Sequence, residues 1–139
     1  MNYAATLKAM GFDDERIAEA LGKDAEPKKR KNPYAPYKNK WERLFADVVE
    51  GQKRNGEILD WKYEPFSMVY SRDPATGKCL RYKPDFVVWP VEGRIQVYEV
   101  KGFLRPEARI RYLSTKAAYP LWNFTMIAYN KGRWVEMTP

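Results

Sequence analysis

The stretch Arg81-Tyr82-Lys83-Pro84-Asp85-Phe86-Val87-Val88-Trp89 is answered, across Pro90-Val91-Glu92-Gly93, by Arg94-Ile95-Gln96-Val97-Tyr98-Glu99-Val100-Lys101-Gly102. Two apolar runs around a short loop broken by Pro and Gly predict a β-hairpin. In an antiparallel pair, the start of one strand lies beside the end of the other. Asp85 opens the first strand, and Glu99 and Lys101 close the second. The three should therefore converge at one end of a sheet.

Strand side chains alternate between faces, so Glu99 and Lys101 point the same way, with Cα atoms about 6.7 Å apart. Ile95 and Val97 share that face. A Glu and a Lys two apart on a strand are often only a solvated ion pair worth under about 1 kcal/mol. Here they continue an apolar row and face a second acid. Two carboxylates about 4 Å apart repel by about 4 kcal/mol at an effective dielectric near 20. A divalent cation reverses that sign. Few, hard oxygen ligands with room for water and phosphate suit Mg²⁺, or Mn²⁺. With Lys101 beside it, such a site has the chemistry of metal-assisted phosphodiester hydrolysis.

Pro84-Asp85 followed by Glu99-Val100-Lys101 resembles the signature of the PD-(D/E)XK nuclease superfamily. The strings Tyr82-Lys83-Pro84-Asp85-Phe86 and Val97-Tyr98-Glu99-Val100-Lys101-Gly102 are similar to the phage endonuclease I branch, which resolves Holliday junctions, and to small phage nucleases related to it. The resemblance spans roughly residues 38–138. It implies a restriction-endonuclease-like α/β core of order αβββαβ, with a mixed sheet flanked by helices. It implies an Mg²⁺-dependent endonuclease acting on branched DNA in phage replication or recombination, as a homodimer inside a bacterial host's cytoplasm. It also implies site residues: Asp85, Glu99 and the carbonyl of Val100 as metal ligands, Lys101 as the catalytic cation, Glu64 as a further metal ligand and Glu42 as an outer acidic member. The spacing from Asp85 to Glu99 is longer than in endonuclease I, and residues 1–22 have no counterpart there. Two other readings stay open: the same chemistry on single-stranded or nicked DNA, and a DNA-binding protein without catalysis.

Composition agrees with a polyanionic partner. The 139 residues carry a net charge of +7, which favours nucleic acid. There is no histidine, which excludes His-metal nucleases, imidazole bases and Ser-His-Asp triads. The single cysteine, Cys79, makes no intrachain disulfide and no zinc cluster, as suits a reducing compartment. No apolar run approaches membrane-spanning length.

Residues 1–22 predict two short helices, with Gly11 ending the first and Asp13 capping the second. No third helix follows to complete a helix-turn-helix. Residues 23–39 read as a linker, rich in Pro and Lys. Lys28, Lys29, Arg30, Lys31, Lys38 and Lys40 fall in a stretch without acids from Pro27 to Trp41, a candidate arm along a phosphate backbone. The nuclease-type domain is then 40–139. Its first helix spans 39–55, with Trp41, Leu44, Phe45 and Val48 as the inward stripe, Asn39 as cap and Asn55-Gly56 as stop. Residues 58–72 read as one strand interrupted at Pro65. Asp73-Pro74-Ala75-Thr76-Gly77 is a turn that joins Tyr70-Ser71-Arg72 to Lys78-Cys79-Leu80-Arg81 as an antiparallel hairpin, whose second arm runs into the Asp85 strand to give a three-stranded meander. A second helix over 105–119 turns Ile110, Leu113 and Ala117 inward and offers Arg105 and Arg109 to phosphate. Phe124–Tyr129 is a buried strand and Trp134–Met137 a short last one.

Overall fold

The structure is a computed structural model that describes residues 3–21 and 30–139. The chain divides into two compact units, 1–33 and 34–139. In the first, α1 (Tyr3–Ala9) ends before Gly11, whose φ of +91° is the left-handed stop that glycine adopts readily. The Asp13 carboxylate accepts from the Arg16 N–H at 2.8 Å and caps α2 (Asp14–Leu21). Both helices fall where the sequence places them.

The second unit begins with α3 (Lys40–Arg54). Then come β1 (Ile58–Tyr63), β2 (Met68–Arg72), β3 (Cys79–Tyr82), β4 (Phe86–Pro90) and β5 (Gln96–Val100), followed by α4 (Pro106–Ala118), β6 (Asn123–Asn130) and β7 (Arg133–Met137). Five strands form a mixed sheet in the order β1-β4-β5-β6-β7, and β2 and β3 pair separately. Among the described strands only β5 and β6 run parallel, and α4 is the crossover between them. The β6–β7 turn is Lys131-Gly132, both at positive φ, the backbone that a two-residue hairpin requires. The unit is thus α/β. No helix among the described residues is long and apolar enough to cross a membrane.

Alternation in the central strands feeds two cores. Phe86, Val88 and Val100 meet Phe45, Ala46 and Val49 of α3 on one face. Val87, Val97, Phe124 and Met126 meet Tyr112 of α4, with Met68 and Tyr82 of the small hairpin, on the other. Phe86 is wholly buried, with the rings of Phe45, Tyr63, Trp61 and Tyr37 around it at 5.0, 5.2, 5.9 and 6.2 Å.

Four expectations need correction. Residues 58–72 are not one broken strand. Glu64 adopts φ +43° ahead of Pro65, so the chain leaves the main sheet and re-enters as β2 of the other. The meander is therefore β1, β4 and β5, with the β2–β3 hairpin set aside from it. The inward face of α3 is Glu42, Phe45, Ala46 and Val49, one position off the expected stripe. Trp41 and Val48 are partly exposed, and Trp41 stacks on Tyr129 at 5.2 Å. In α4 the buried residues are Tyr112 and Thr115, while Ile110 is 60% exposed. Finally, the linker does not reach residue 39. Tyr37 packs edge-on to Tyr63 at 4.8 Å, so residues 34–39 belong to the folded unit.

Asn39 caps α3 by accepting from the Glu42 N–H at 3.0 Å. Asn39→Ala should lower stability by about 1 kcal/mol, read as the shift of a urea midpoint. An unshifted midpoint would mean that the cap contributes nothing beyond what water supplies.

Candidate active site

Phe86 pairs with both Tyr63 on β1 and Tyr98 on β5. One residue further, the same register sets Asp85 opposite Glu64 and opposite Glu99. The Glu64 N–H donates to the Asp85 carbonyl at 2.8 Å, which confirms the first of these pairings. Three acidic residues thus form a row across three neighbouring strands at one sheet end. The first turn of α3 brings Glu42 to that end, where the Tyr63 hydroxyl donates to it at 2.8 Å.

Asp85 and Glu99 are both buried. Asp85 Oδ2 accepts from the Val100 N–H at 2.9 Å. Burial, reinforced by the negative charge of Glu99, pushes the Asp85 carboxyl up to about 8 despite that hydrogen bond. Each oxygen of Glu99 has its own partner. The Tyr82 hydroxyl donates to Oε2 at 2.5 Å, and Lys101 Nζ lies 3.0 Å from Oε1. Burial, together with the Glu99 charge, holds the Tyr82 phenol well above its ordinary range, so it stays a donor. Tyr82→Phe keeps the ring but strips a buried carboxylate oxygen of its donor. It should cost about 1–3 kcal/mol in chemical denaturation. A cost near zero would show that water replaces the hydroxyl.

The outer acids are tied to Lys38. The Lys38 backbone N–H donates to Glu42 Oε2 at 2.8 Å, and its Nζ lies 2.5 Å from Glu64 Oε1. That Glu64 oxygen is shut off from solvent and accepts no aligned hydrogen bond, so the ammonium is its counterpart. Partial burial works against the Lys38 charge. Glu64, with Asp85 and Glu42 behind it, outweighs that and raises its pKa. Glu42 also supports the start of α3 much as a capping-box glutamate does. The strained left-handed backbone at Glu64 is of the kind that clusters at functional sites.

A cleft of about 230 Å³ opens over the two inner acids. Lys38, Arg81, Tyr82, Lys83, Asp85, Glu99, Lys101, Ala108 and Arg111 line it. Its floor is acidic and its rim basic. Of the basic residues expected to meet phosphate, Lys38 lines this cleft, and Arg105 and Arg109 do not. Arg109 instead points Nη2 at the Pro139 carbonyl, 3.5 Å away. Lys40 lies over the Trp41 ring at 5.4 Å. Arg30 and Lys31 are exposed in the first unit, and Lys28 and Lys29 lie outside the described residues. Sequence reasoning missed Arg81, Lys83, Arg111 and Tyr82. For three of them a signal was present: Arg81, Tyr82 and Lys83 immediately precede Pro84-Asp85.

Among the described residues, no three His, Cys, Asp or Glu side chains cluster closely enough to hold a metal by themselves. The inner pair nevertheless suits a hydrated hard cation. Mg²⁺ is commonly held by one or two carboxylates, with waters and substrate phosphate completing its shell. Asp85 and Glu99 are two such donors, buried together, and burial with the Glu99 charge beside it makes the Asp85 carboxylate costly to ionise without a cation. No family model, no curated protein and no solved structure matches this chain.

Proposed function

We propose that the protein is a divalent-cation-dependent DNA endonuclease whose second unit is a restriction-endonuclease-like core. With the β2–β3 hairpin taken as an insertion, α3-β1-β4-β5-α4-β6 has the order αβββαβ. The observation that carries the reading is the cleft itself: two buried carboxylates on the floor, Lys101 beside them, and Arg81, Lys83, Lys38 and Arg111 on the walls. A basic wall attracts a polyanion, but an acidic floor repels its phosphate unless a cation lies between.

Asp85 and Glu99 are the proposed holders of Mg²⁺ or Mn²⁺, with the Val100 carbonyl as a third ligand. Such an ion lowers the pKa of a water and neutralises charge on the scissile phosphate. The chain's own groups do the rest. Tyr82 fixes Glu99 through one oxygen, leaving the other toward Lys101. The Lys101 ammonium is set to orient the attacking water or to stabilise charge growing on the phosphate. No imidazole competes for either role, since the chain has no histidine. Arg81, Lys83 and Arg111 grip flanking phosphates, and Lys28, Lys29, Arg30 and Lys31 add phosphate contacts to the net positive charge.

The proposed substrate is branched DNA, after the resemblance of the Asp85 and Glu99 strings to junction-resolving nucleases. A four-way junction offers two strands to symmetric cutting, which a two-fold dimer would match. The proposed setting is phage recombination or replication inside a bacterial cell. The test is strand cleavage of a labelled four-way junction beside nicked duplex, linear duplex and single strands, with Mg²⁺ and with EDTA. Metal-dependent cutting of the junction alone is the expected result. Equal cutting of the other DNAs would move the function to a general or single-strand nuclease. Binding without cutting in either Mg²⁺ or Mn²⁺ would overturn the enzyme.

A further inference from the structure

We propose that the Lys38 ammonium takes the place of a second cation in this cleft, so that the site binds one divalent ion per chain. The proposal rests on the metal-dependent reading above and specifies its stoichiometry.

Lys38 is fixed by its surroundings on both sides. Before it, the Tyr37 ring lies against Tyr63 and Phe86. After it, Asn39 caps α3. Its own N–H is bound by Glu42 and its Nζ by Glu64. Its side chain is 64% exposed, yet its ammonium pairs with a solvent-excluded Glu64 oxygen and lines the same cleft as Asp85 and Glu99.

Two-ion sites hold their ions about 3.5–4 Å apart and need ligands for both. Glu64 is the natural second-ion ligand here, and its solvent-excluded oxygen is already matched to Lys38. The Lys38 ammonium, paired with Glu64 and largely open to solvent, is thereby placed to face a bound phosphate beside the single ion.

Calorimetric titration of the full chain with Mn²⁺, without DNA, tests this. Wild type should bind one ion. Lys38→Met, which retains the aliphatic stem and removes the charge, should bind a second, weaker one. Glu64→Gln checks the same point if Lys38→Met folds poorly: it should keep one ion with little loss of affinity. Two ions on wild type would overturn the proposal, as would one ion on a folded Lys38→Met. A loss of about tenfold or more in affinity on Glu64→Gln, the scale seen when a metal's immediate supports are removed, would overturn it too. No Mn²⁺ binding by wild type would instead remove the metal-dependent reading beneath it.

Discussion

Lys101→Ala should cut a four-way junction about 10²–10³-fold more slowly than wild type under single-turnover conditions, the scale of losing one preorganised charge stabiliser. Its junction affinity should change little. Lys101 is one cation among several: Arg81, Lys83, Lys38 and Arg111 line the same cleft. Each phosphate contact adds only its own increment to a binding energy built from many. Lys101 also lies 3.0 Å from Glu99 Oε1, so the substitution removes that partner. Glu99 is buried and Lys101 only partly open to water, so loss of the counter-charge should also destabilise the metal-free protein. Lys101→Arg should not restore the rate, because a planar guanidinium cannot reproduce the compact ammonium's position. Loss of affinity in parallel with rate would make Lys101 a binding residue.

Asp85→Asn should abolish cation-dependent cleavage and yet stabilise the metal-free protein in alkali. Burial and Glu99 push the Asp85 carboxyl up to about 8. In the unfolded chain it releases its proton near pH 4. Between those values the native state therefore holds a proton that the unfolded state has lost. Stability falls as pH rises through that window, and the loss is complete above about pH 8. Asparagine keeps the shape and cannot ionise. Its benefit should be absent near pH 4 and reach about 1 kcal/mol or more above pH 8, since each pKa unit is worth about 1.4 kcal/mol. Mg²⁺ should oppose the wild-type loss by displacing the proton, so its apparent affinity should rise with pH up to about 8. Denaturation curves at pH 5 and pH 9, with and without Mg²⁺, measure both effects. If wild type and variant follow the same pH dependence, Asp85 is not the strained carboxylate described here.

The inner site was legible because hairpin register is local. A short loop between two apolar runs fixes which residues face each other, and Asp85 and Glu99 followed from it. The rest depended on how distant elements meet. The break at Pro65 and the turn at 73–77 marked the hairpin, but nothing local said that it would stand apart from the main sheet and carry Tyr82 back over Glu99. The inward face of α3 was misjudged because Glu42, an acid, takes a core position that periodicity reserves for apolar residues. It does so because the Tyr63 hydroxyl and the Lys38 N–H satisfy it. In α4, Tyr112 and Thr115 turn inward although Ile110 is more apolar than either. Thr115 is accommodated by bonding its hydroxyl to the Arg111 carbonyl at 2.7 Å. The same rotation brings Arg111 to the cleft and leaves Arg105 and Arg109 off it.

Lys38 shows the limit of reading charge from composition. A lysine in an acid-free stretch reads as a phosphate contact, yet its nearest partners in the fold are carboxylates from a helix and from the bend that follows β1.

The central claim is that Asp85, Glu99 and Lys101 form one hydrolytic site. The most direct measurement is single-turnover cleavage of a labelled four-way DNA junction, with protein in excess, comparing wild type and Glu99→Gln in Mg²⁺ and in EDTA. Wild type should cut in Mg²⁺ and stop in EDTA, while Glu99→Gln should bind the junction and leave it intact. Cutting by Glu99→Gln at the wild-type rate would contradict the assignment of the site.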